Sequence, residues 1–310
     1  FADPPGVSER GDKLEIQTDR LMKTSTKWMI GIAAALVLFF LLIFYSSEIY
    51  VWAMGKITTF VIWAVIFLAG FLIGFPSCVT NMATYALDNN STIRMVSGLL
   101  FAFGLGMVVV TGAELFTGNT LITISVLDKK ATLAGMLRNW VFVYIGNFVG
   151  SLVLSFICAQ FGWLSAGSNA LAAFSMKLAV GKMTMPFQNA FFMGVLCNIL
   201  VTIGVLLSLS GKDGVSRFIG AWAPVMFFVT CGFNHSIADI TYCMLGLFAK
   251  NIPAYVEAAE SAGVALESLT WGNYFVGNLI PVTLGNLVGG VCVGALFWFA
   301  YLKGAARDKK

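Results

Sequence analysis

Apolar runs long enough to cross a lipid bilayer recur along almost the whole of this 310-residue chain. A hydrocarbon core about 30 Å thick is spanned by about 20 apolar residues in helical form. Runs of that order fall at 28–46, 57–79, 95–125, 136–161, 187–209, 216–249 and 272–302. Hydrocarbon offers no water to bond backbone N–H and C=O groups, so each run is predicted to be a helix. The composition agrees, with 58% hydrophobic and 11% charged residues, where a soluble domain carries about 25% charged residues. A net charge of +4, scattered between the runs, makes no basic face for nucleic acid. The chain opens at Phe1 rather than at a methionine, so an upstream segment is expected and no targeting signal is read.

Two of the runs, 95–125 and 216–249, exceed one span, and both carry a polar interruption. The first holds Thr111, Gly112, Glu114, Thr117, Gly118 and Asn119; the second holds Gly232, Asn234, His235 and Asp239. Both are predicted to be broken helices. Irregular backbone at membrane depth survives only inside protein or beside a watery cavity, and paired breaks point to a transport site. Each break is followed by the same short motif, GNFVG at Gly146–Gly150 and GNLVG at Gly285–Gly289. The pattern indicates a duplicated three-helix unit. Because three is odd, the copies insert in opposite senses, which makes an inverted repeat with the breaks meeting near the midplane.

Charge sets the expected orientation. Lys129, Lys130, Arg138, Lys212, Arg217, Lys303, Arg307, Lys309 and Lys310 follow the second, fourth and sixth repeat helices, and that face is predicted to be cytoplasmic. The alternate loops carry Arg94, Lys177, Lys182 and Lys250 together with Asp88, Glu257, Glu260 and Glu267. The run beginning at Trp28 fits neither repeat, and its sequence leaves spanning and lying along the interface equally open.

His235 is the only histidine. An ionisable group in an apolar run is costly and usually functional, although a histidine can also merely hydrogen-bond two helices. Thr117, at the other break, has a hydroxyl that donates and accepts. Glu114 reads as structural, a carboxylate accepting from backbone N–H groups at the break, since in an anion path it would repel the cargo. The cysteines, Cys78, Cys158, Cys197, Cys231, Cys243 and Cys292, lack CxxC spacing and read as packing residues. No metal set, cofactor motif or nucleophile with a paired base is found, so catalysis is not expected.

Four ordered strings, GAELFTGN (Gly112–Asn119), MLRNWVFVYIGNFVGS (Met136–Ser151), FNHSIAD (Phe233–Asp239) and NLIPVTLGNLVGG (Asn278–Gly290), resemble motifs of the formate/nitrite transporter family. The resemblance covers about 57–302. It implies an all-α, aquaporin-like six-helix inverted repeat with two broken helices, here with one extra N-terminal hydrophobic segment, assembled as a homopentamer with one pore per subunit. The chain then divides into a polar head (1–27), the extra segment (28–50), a transporter or channel domain (57–302, repeats about 57–161 and 187–302) and a basic tail (303–310).

By the same resemblance Thr117 and His235 form the central polar pair, with Asn198 and Asn286 in supporting positions along the pathway. Phe101 and Phe228 would make the outer constriction, Leu105, Leu115 and Phe116 the inner slit, and Lys182 the lysine that attracts anions. Two residues depart from the common pattern, which places Glu before the histidine and Asn four residues after it. This chain has Asn234 and Asp239, both expected to tune the histidine and with it selectivity. The implied function is a channel or transporter, in the cytoplasmic membrane, for a small monovalent anion or its conjugate acid: formate, nitrite, hydrosulfide, lactate or bicarbonate. A bare anion loses much hydration in an apolar slit and a weak acid is favoured in its neutral form there, so proton-linked passage is expected. The rival reading is a pore for a neutral solute such as water, glycerol or ammonia.

Overall fold

The computed structural model describes residues 47–303, with side chains described from Thr58 onward except residue 59. The polar head, the run at 28–46 and residues 304–310 lie outside the described residues. Contacts divide the chain into units 1–61 and 62–310, and the second contains both repeats apart from residues 57–61.

Among the described residues no strand is present, and six helices are long and apolar enough to cross a membrane. The first is α1 (Ser47–Thr84). The second is a pair, α2 (Asn90–Phe101) and α3 (Phe103–Thr111), which stops at the first break and resumes as the short α4 (Phe116–Asn119) and α5 (Ile122–Leu127). Then comes α6 (Leu133–Gln160), followed outside the spans by α7 (Ala170–Met183). The second repeat is α8 (Phe187–Ser210), α9 (Gly214–Cys231), the second break, and α10 (Ser236–Ala249). After α11 (Pro253–Ser261), a π-helical turn at Tyr274–Leu279 leads into α12 (Ile280–Phe297).

The helix ends are capped where polar loops begin. Asn89, Thr132 and Asp213 each accept from a backbone N–H of the first turn they precede, at 2.9 to 3.1 Å. Ser216 gives Asp213 both its N–H and its hydroxyl, and these bonds hold the Asp213 carboxyl below its ordinary range.

The repeat is visible in the backbone itself. Gly112 ends α3 at φ 69°, ψ 22°, and Gly232 ends α9 at φ 78°, ψ 26°. That left-handed turn is open to glycine without a Cβ penalty. Three residues later Leu115 and His235 are both extended, at φ −107°, ψ 125° and φ −108°, ψ 115°. The duplicated GNxVG motifs pack the third helix of each repeat onto the first. A Cβ on Gly146 or Gly150 would collide with Ile66 or Phe67 of α1, and one on Gly285 or Gly289 with Phe191 or Val195 of α8. Small residues let helices approach where lipid gives no hydrophobic drive for association. Helix α12 packs extensively on α8.

Two helices differ from the sequence expectation. The polar stretch Asn251–Thr270 lies between the last two apolar runs, yet α11 forms there behind Pro253. Helix α7 is fourteen residues long, too short for a span, and so carries no 20-residue apolar run. It packs on α10 and carries Lys182 to the second break.

Candidate pore and central site

Each break leaves the first N–H of a half-helix without an intrahelical partner, and an asparagine from the third helix of the same repeat takes it. Phe116 N–H donates to Asn147 Oδ1 and Ser236 N–H donates to Asn286 Oδ1, both at 2.9 Å. The amide of Asn147 in turn donates to the carbonyls of Glu114 (2.9 Å) and Ile66 (2.8 Å), while that of Asn286 donates to those of Asn234 (3.1 Å) and Gly194 (2.8 Å). The two networks are repeat-related copies. Asn147 is absent from the sequence-derived site although it occupies the same place in GNFVG as Asn286 in GNLVG; the repeat contained the signal.

Thr117 and His235 meet between the half-helices, Oγ1 to Nε2, at 2.9 Å, and both are buried. His235 is the N-cap of α10, its Nδ1 accepting from Ala238 N–H at 3.1 Å. A nitrogen that accepts carries no proton, so the neutral ring is assigned its hydrogen on Nε2, which donates to Thr117. The threonine hydroxyl keeps its own proton for a further acceptor. Asn198 binds the backbone beneath the pair, donating to the carbonyls of Thr117 (3.3 Å) and Asn286 (2.6 Å). Asn198 and Asn286 therefore position the site from behind.

A cavity of about 800 Å³ leads to His235 from the side of the α1–α2 loop, and Phe101, Phe228, Arg94, Lys182 and Asp239 are among its lining residues. Phe228 stacks on the His235 ring with centroids 6.0 Å apart and meets Phe101 edge-on at 6.1 Å. Leu105, Leu115 and Phe116 are all buried and none lines this cavity. Phe116 packs edge-on against Tyr144 at 4.7 Å.

Lys182 donates to Asp239 Oδ1 at 2.5 Å and to Asn234 Oδ1 at 3.0 Å, and Asn278 donates to the other Asp239 oxygen at 3.0 Å. Both departures from the family pattern thus converge on one ammonium. Asp239 lies one helical turn from His235, but its carboxylate bonds Lys182 and Asn278, whereas the imidazole has Thr117 and Ala238. A turn of helix separates residues without saying where their side chains aim. Glu114 also differs from expectation, since it is exposed and its carboxylate accepts from the Asn119 side chain rather than from backbone N–H groups.

Two inverted three-helix units with interrupted second helices, closing on a buried polar pair at the end of a cavity, define a polytopic integral membrane transport protein. The family model described as "Formate/nitrite transporter" matches residues 54–300, and the chain belongs to that family. It is 33% identical over 256 residues to a probable formate transporter of Methanothermobacter thermautotrophicus, covering 76% of this chain and 87% of the relative. It is 34% identical over 204 residues to the formate channel FocA of Haemophilus influenzae, covering 65% and 72%. Among solved structures, a pentameric formate channel with formate bound matches with a TM-score of 0.70 at 31% identity, over 80% of this chain and 99% of that one. A second, titled as an ion channel of the family, gives 0.66 at 27% identity, over 80% and 92%.

Proposed function

We propose that this protein carries a small monovalent anion of the formate class across a membrane by way of its conjugate acid, and that it does so as a homopentamer with one pore in each subunit. The observation that carries the reading is the Thr117–His235 hydrogen bond, placed where the two inverted breaks meet and where the cavity ends. The positive ends of the half-helices favour an anion arriving there. Beyond it Leu105, Leu115 and Phe116 offer no polar partner, so a charge would lose hydration and the neutral acid is the cheaper form to pass. Thr117 has a proton to donate and His235 a ring able to exchange one, which supports protonation at or before this pair. The formate-related relatives support the substrate class, and the pentameric neighbour supports the assembly. The function is transport rather than catalysis.

The test is flux into proteoliposomes of formate, nitrite, hydrosulfide, lactate and bicarbonate across a pH series, beside water, glycerol and ammonia. Uptake of one or more of the anions that rises as the external pH falls is the expected result. Neutral-solute flux with no anion uptake and no pH dependence would replace this reading with a neutral pore.

A further inference from the structure

The charged residues lining the cavity are Asp88, Arg94, Lys177, Lys182 and Asp239. Lys182 reaches Asn234 beside the histidine, yet its charge is met at contact distance by the buried Asp239 carboxylate. To an anion several ångströms away that pair presents a dipole rather than a positive charge, because opposite unit charges so close nearly cancel at longer range. Arg94 is different. It lies near the N-terminal end of α2, is exposed to the cavity, and has neither a hydrogen bond nor an ion pair among the described residues. Its guanidinium rests on Gly232, the left-handed glycine of the second break, so closely that a Cβ there would collide with Nη1. Gly232 stands three residues before His235 in the second break, and Arg94, Gly232 and His235 line the same cavity. The exposed Lys177 also lines the cavity but is not held against the break.

Building on the transport reading above, we infer that Arg94 is the cation that captures the anion at the cavity mouth and hands it to the Thr117–His235 pair. The absence of a side chain at Gly232 is what lets the guanidinium lie there. An unpaired cation in a solvated cleft with low-dielectric walls raises the local concentration of an anionic cargo, and salt weakens that pull.

The test uses the full chain in proteoliposomes, with Arg94→Gln and Arg94→Lys beside the parent and formate as the probe. Initial uptake is followed at sub-saturating and saturating formate, in an impermeant salt at ionic strengths of about 0.01 M and about 1 M. Arg94→Gln is expected to raise the half-saturating formate concentration roughly threefold at low salt, the order given by one lost charge in a solvated cleft. The maximal rate should hold, the difference should fade at high salt, and Arg94→Lys should recover the parent value. An active parent with an unchanged Arg94→Gln overturns this inference alone. So does a loss of equal size at both salts that lysine fails to repair, since that would mark packing against Gly232. A parent that carries none of the anion panel overturns the transport reading and this inference with it.

Discussion

At the scale of single residues the histidine is defined by two bonds pointing opposite ways. Nδ1 is occupied by a backbone N–H of its own helix and Nε2 by Thr117, so the ring cannot turn without giving up its cap. His235→Phe keeps the bulk and the stacking with Phe228 but removes both bonds. It is expected to abolish formate uptake or strip it of pH dependence while the protein still folds, which flux and thermal unfolding of the purified variant would show together. The Lys182 clamp makes a second prediction. Asn234 and Asp239, the two positions at which the sequence departs from the pattern that the resemblance implies, both reach the same ammonium. Asp239→Asn leaves a largely buried lysine without a carboxylate, and Asn234→Glu sets two carboxylates on one cation. Removing one partner of a buried pair costs about 3–5 kcal/mol, so Asp239→Asn should unfold well below the parent. Asn234→Glu with Asp239→Asn should recover most of the loss, because one carboxylate and one amide again surround Lys182. Equal destabilisation of single and double variants, read as melting temperature, would show that the two positions do not share the lysine.

Single helices and their junctions are governed by the two asparagines. Asn147 satisfies one N–H and two carbonyls across α1, the first break and α6, and Asn286 does the same in the second repeat. Replacing Asn147 with Leu is nearly isosteric but leaves the buried Phe116 N–H without its acceptor, a loss of about 1–3 kcal/mol, and takes a donor from the carbonyls of Ile66 and Glu114. Amide exchange at Phe116 and the residues after it should accelerate, with the second break unaffected; equally fast exchange at both breaks would mean they do not act as separate units. This is also the scale at which the sequence is most and least informative. The six spans, the two breaks and their inversion were legible, because lipid allows only helices of a certain length and the interrupting residues recur with GNxVG. Helix α7 was not, since a short helix packed on protein carries no 20-residue apolar signature. Nor was the aim of Asp239, which depends on a lysine 57 residues earlier that reaches the break only once α7 is in place.

Across the whole molecule, charge and symmetry do not coincide. The backbone repeats itself closely at the two breaks, but the side chains placed on it do not: Leu115 occupies in the first repeat the position His235 holds in the second, and Glu114 the position of Asn234. The first break therefore has an apolar residue where the second has an ionisable one. The proposed path would have unlike halves, the cavity with Arg94, Lys182 and His235 on one side and the buried Leu105, Leu115 and Phe116 on the other. In the proposed pentamer each subunit would hold one such path, and mass measurement of the detergent-purified protein should give five chains; a monomer would remove that assembly. The unlike halves lead to the last prediction. Leu115→His makes the two breaks chemically alike, adding an ionisable ring at the N-terminus of α4 where burial disfavours its charged form. If the apolar half is the barrier that admits only neutral acid, the added polar group should let some anion through without a proton. In that case formate flux at alkaline pH should rise while flux at acid pH stays near the parent value. Planar-bilayer current under a formate gradient at alkaline pH is the direct measurement: charge movement in Leu115→His but not in the parent is expected, and a variant as silent as the parent would place the barrier elsewhere along the path.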